Sequence, residues 1–102
     1  MNYLDVDKYL LLVELTGDAE IHAFLDYIHY LNNVFKEKES PMTASFVTDG
    51  VFGINDIKSK EDAHDLVNVL KRMELKDFNV PDIKHFVIMH LCCDVDEVIE
   101  NE

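Results

Sequence analysis

Residues 43–56, "TASFVTDGVFGIND", decide how the rest of the chain is read. β-Favouring residues flank Asp49-Gly50, and an Asp-Gly pair supplies the positive φ values that a two-residue type I′ turn requires. The stretch therefore predicts a hairpin. A lone hairpin is poorly supported in water, so two ambiguous apolar runs elsewhere read best as strands that extend it.

The first run is "KYLLLVEL", residues 8–15, closed by Asp7 on one side and Thr16-Gly17-Asp18 on the other. The second, "KHFVIMHLCC" at 84–93, is rich in β-branched and aromatic residues, with a helix starting at Pro81 as its competitor. Two helical stripes lie between the strands. Ile21, Phe24, Ile28, Leu31 and Phe35 recur at steps of three and four, as in an amphipathic helix of roughly twenty residues. Asp18 is its expected cap, and Pro41 closes it by forcing Ser40 out of helical geometry. Ala63, Leu66, Val67, Leu70 and Met73 mark a second helix, opened by Ser59 and Asp62 in the manner of a capping box.

The predicted order is β-α-β-β-α-β over a single α+β domain, residues 1–102, with an acidic tail over about 94–102. This is the ferredoxin-like arrangement, an antiparallel four-stranded sheet with both helices on one face. The alternative is a mostly helical domain carrying one small hairpin. The two outer runs are apolar at both odd and even positions. A sheet covered on one side would then leave an apolar face open, the mark of an interface.

Charge narrows the partner. The net charge is −12, and it is uneven: residues 1–35 hold six acids against Lys8, and residues 94–102 hold five acids with no base. Such a chain repels phosphates and anionic lipid, so neither nucleic acid nor membrane is the expected partner. A basic protein is. No basic-then-apolar leader opens the sequence, and two adjacent cysteines make no disulfide framework, which sets a cytoplasmic location as the expectation.

The residues that most resemble chemistry lead to structural readings. His90, Cys92 and Cys93 lack the spacing of a zinc site, and carboxylates nearby suppress a thiolate, so the cysteines read as core. His22, Asp26, His29 and Asn33 share one side of a helix, yet the two imidazoles stand about 10 Å apart along its axis. A solvated polar face is the expectation. No phosphate loop, nucleophile elbow or HExxH helix occurs. The expected protein is therefore no enzyme and holds no cofactor or metal.

The function expected is that of an acidic inhibitor neutralising a basic partner, such as a nuclease toxin, in the manner of an immunity protein or phage-encoded inhibitor. Asp5, Asp7, Asp94, Asp96, Glu97 and Glu100 are the expected steering acids, with Phe86 and Ile88 as anchors on the uncovered sheet face. The alternative is a small homo-oligomeric ferredoxin-like module, binding a ligand or assembling, for instance as a homodimer, through that same open face.

Overall fold

Eight segments of regular structure follow one another in the computed structural model, which describes residues 8–73, 75–90 and 95–101. They are β1 (Tyr9–Leu15), α1 (Ile21–Glu37), β2 (Thr43–Thr48), β3 (Val51–Ile57), α2 (Lys60–Arg72), a 3-10 turn (Leu75–Phe78), β4 (Ile83–His90) and β5 (Val95–Glu100). Both ambiguous runs form strands over their described residues, Tyr9–Leu15 and Ile83–His90, which overturns the mostly helical alternative. The sheet has five antiparallel strands in the order β2-β3-β1-β4-β5.

That order does not match the four-stranded ferredoxin-like sheet expected. β3 does lie between β1 and β2, and β1 between β3 and β4, but β5 extends the sheet past β4. Val95–Glu100, within the segment read as a charged tail, is thus a strand. Its apolar positions explain why: Ile99 stands opposite Phe86 and packs against the core. Asn101 ends it, donating from its backbone to Lys84 O at 3.1 Å and from Nδ2 to Ile83 O at 2.8 Å.

Two local details differ from expectation. Glu20, not Asp18, caps α1 and accepts from the Ala23 N–H at 3.0 Å. Backbone donation from His22 and Ala23 holds its carboxyl below the usual range. Of the two turn residues, Asp49 and Gly50, only Gly50 has positive φ, 73°, so the turn is not type I′. A register shift between Phe46 and Thr48 absorbs the difference, as a bulge does. Ser59 caps α2 as expected, accepting from the Asp62 N–H at 3.0 Å.

Both helices press on the sheet face that carries Leu11, Val13, Phe52, Ile54, Phe86 and Ile88, each without exposed surface. Tyr27 is central: its ring meets Phe52 edge-on at 5.5 Å and Phe78 at 5.3 Å. Burial, and secondarily Tyr30, holds its phenol well above the ordinary tyrosine range. Among the described residues the buried cluster is apolar apart from that hydroxyl, which lies 4.0 Å from Met73 Sδ.

Two outcomes follow. A Cβ at Gly50 meets Gly17 O at 3.1 Å and keeps a left-handed backbone, so Gly50→Ala costs about 1–2 kcal/mol in urea denaturation. Tyr27 is harder to ionise folded than unfolded. Its contribution to stability is therefore complete below about pH 10, the unfolded value, and declines as pH rises beyond it. In a pH series of melting temperatures, Tyr27→Phe should lose part of this alkaline decline while folding normally near neutrality.

Candidate interaction surface

Alternation along the strands defines a second sheet face. Leu12 stands opposite Gly53 on β3 and Val87 on β4, and Val87 opposite Val98 on β5. In the next row Leu10 meets Met89, and Met89 meets Val95. These side chains point away from both helices. Val95 and Val98 remain 55% and 52% exposed, and Val47, on the same face, 50%. At Gly53, Leu10, Leu12 and Val47 lean over the missing side chain, their methyls 3.4–3.5 Å from where a Cβ would stand. The apolar surface is therefore continuous from β2 to β5.

One end of the face is polar. Val51, Glu14, His85 and Glu100 form a row across β3, β1, β4 and β5, with His85 Nε2 2.9 Å from Glu14 Oε1. Two carboxylates thus flank one imidazole at the rim of an apolar floor. A cation arriving at that rim finds negative charge beside a surface able to bury hydrocarbon.

The expected site residues separate on this frame. Phe86 and Ile88 do not lie on the open face, which is a correction: in register they oppose Val13 and Leu11, so they share the helix-facing side and are fully buried. Val87 and Met89 take the open positions. Asp96 and Glu97 face α2 rather than solvent alone. Lys60 Nζ lies 3.0 Å from Asp96 and 3.6 Å from Glu97, and His64 Nε2 lies 2.8 Å from Glu97. The hydrogen bond to Asp96 leads the effects that hold the Lys60 amine above its usual range. Glu100 is exposed in the polar row. Asp5, Asp7 and Asp94 lie outside the described residues, as do Cys92 and Cys93.

Elsewhere, His22, Asp26, His29 and Asn33 are exposed along α1. Among the described residues no three His, Cys, Asp or Glu side chains gather to hold an ion. No described helix is long and apolar enough to cross a membrane. A groove of about 370 Å³ lies between α1 and α2, lined by Phe35, Met42 and Leu66 and by charges of both signs, including Lys38, Lys58 and Asp56. Asp56 reaches it from a bulge in β3 where its φ is 64°. Lys8 Nζ lies 3.3 Å from Asp56 Oδ1. These near-balanced charges distinguish the groove from the acidic end of the sheet. No protein-family model, curated protein or solved structure gives a significant match to this chain.

What sequence reasoning missed is which member of each neighbouring pair faces out. Both parities of β4 are apolar, so hydrophobicity alone leaves its facing undetermined; the β1–β4 register settles it. The two faces should respond differently in urea denaturation. Phe86→Ala is expected to cost about 3–5 kcal/mol. Val98→Lys should stay within about 0.5 kcal/mol of the parent.

Proposed function

We propose that this chain is a non-enzymatic, cytoplasmic binding protein that takes a basic protein partner on the open face of its sheet. Its expected role is that of an inhibitor that neutralises a basic nuclease or toxin. The observation that carries the reading is the uncovered apolar floor running from Val47 to Val98, with Glu14 and Glu100 at one end. An apolar floor retains a partner by burial; the carboxylates guide a cationic surface to it.

A basic partner suits this face better than a second copy does. Two copies carry −12 each, and stacking their open faces brings like charge together over a short distance. A partner with lysines or arginines around an apolar contact relieves that repulsion instead. Occupying a nuclease's phosphate-binding cleft requires the same complement, carboxylates standing where phosphates would.

The test is kinetic. Immobilised protein is used to recover a basic partner, whose purified form is then measured at several salt concentrations. Glu14→Gln with Glu100→Gln should slow association and flatten its salt dependence, because exposed charges act over about 10 Å at 0.1 M salt. Val87→Ala or Met89→Ala should act mainly on dissociation, by about 2 kcal/mol if the residue is a hot spot. Unchanged kinetics in both sets would place binding elsewhere. Capture of only acidic or neutral proteins would overturn the partner class.

A further inference from the structure

The chain has five histidines, all among the described residues, and strand register puts one of them on the open face. His85 shares the parity of Val87 and Met89 on β4. His90 has the opposite parity, that of Phe86 and Ile88, and stacks on Tyr9 with ring centroids 4.8 Å apart. His22 and His29 belong to α1 and His64 to α2, on the other side of the sheet. Imidazole is the side chain whose ordinary titration falls between about pH 5 and 8. His85 is therefore the group through which mild acid changes the charge beside the apolar floor.

The charges facing its ring come from three strands. Glu14 on β1 places Oε1 2.9 Å from His85 Nε2, and Glu100 stands opposite His85 on β5. On β4 itself the register against β1 shifts at Lys84, an extra residue exposed beside the ring. β3 adds only the uncharged Val51 to the row, and both helices pack on the far face. Two carboxylates and one ammonium leave a single net negative charge while the imidazole is neutral. A proton on His85 cancels it. The side chain is 20% exposed, so the ring exchanges protons with solvent without any change of fold.

We propose, on the reading that a cationic partner docks on the open face, that protonation of His85 weakens its hold. A proton on the ring and a cation of the partner draw on the same carboxylates, so each lowers the affinity for the other. Above the titration of the imidazole, Glu14 meets a neutral ring and keeps its whole charge for the partner. Below it, a positive charge 2.9 Å away offsets that carboxylate. The expected loss is about three- to tenfold, roughly the effect of one unit charge a few ångströms away at a wetted surface. Val87 and Val98 do not titrate, so docking is loosened rather than abolished.

The probe is a synthetic peptide of alternating arginine and leucine, whose guanidinium groups stay charged throughout. Calorimetric titration should give an affinity about three- to tenfold lower at about pH 5.5 than at about pH 7.5. His85→Gln, which keeps a donor towards Glu14, should bring that ratio close to one. His64→Gln, on the helix side, should leave it as in the parent. Saturation with peptide should also move the NMR titration midpoint of His85 downward and leave that of His64 in place. A parent that binds equally at both pH values, or a loss that survives His85→Gln, overturns the pH coupling while docking stands. A peptide that fails to bind near neutral pH, or that binds Val87→Lys as well as the parent, overturns docking on this face and the coupling with it.

Discussion

The constraint on which the structure depends is the placement of β1. Its residues from Leu10 to Val13 are all aliphatic, so neither face of the strand tolerates open solvent well. Flanked by β3 and β4, it satisfies its backbone on both edges and buries Leu11 and Val13 completely beneath the helices. Only Leu10 and Leu12 remain, and they lean on Gly53 and on Met89 and Val87 across the sheet. The split order of strands follows from the need to give this segment two neighbours. The open face follows from having helices on one side only.

Much of this was legible in the sequence, for physical reasons that differ by segment. The helices announce themselves because a stripe such as Phe24, Ile28, Leu31 and Phe35 has one explanation, a buried helical face. The hairpin is readable because Asp49-Gly50 has few alternatives, although the sequence does not show that Gly50 alone takes positive φ or that a side chain there would meet the Gly17 carbonyl oxygen. β5 was not readable. "VDEVIE" looks solvated because its acids find their partners on α2, at Lys60 and His64, more than thirty residues away. The facing of Phe86 and Val87 was equally hidden, since register is a property of two strands.

The acidity of the chain is consequently not one undivided field. Asp96 and Glu97 spend part of their charge holding the fifth strand to α2. Glu14 shares its carboxylate with His85, and Glu20 accepts hydrogen bonds from the first turn of α1. Exposed pairs of this kind add little stability individually. Their effect is positional: they leave Glu100 and part of Glu14 as the charge that reaches solvent beside the apolar floor.

The unequal edges also set how far this sheet can grow. A sheet with two receptive edges adds copies without end and becomes a fibre. Here β2 carries no charge whereas β5 carries Asp96, Glu97 and Glu100, so the two borders of the sheet are unequally receptive to a further strand. A change that removed the β5 carboxylates would erase that inequality.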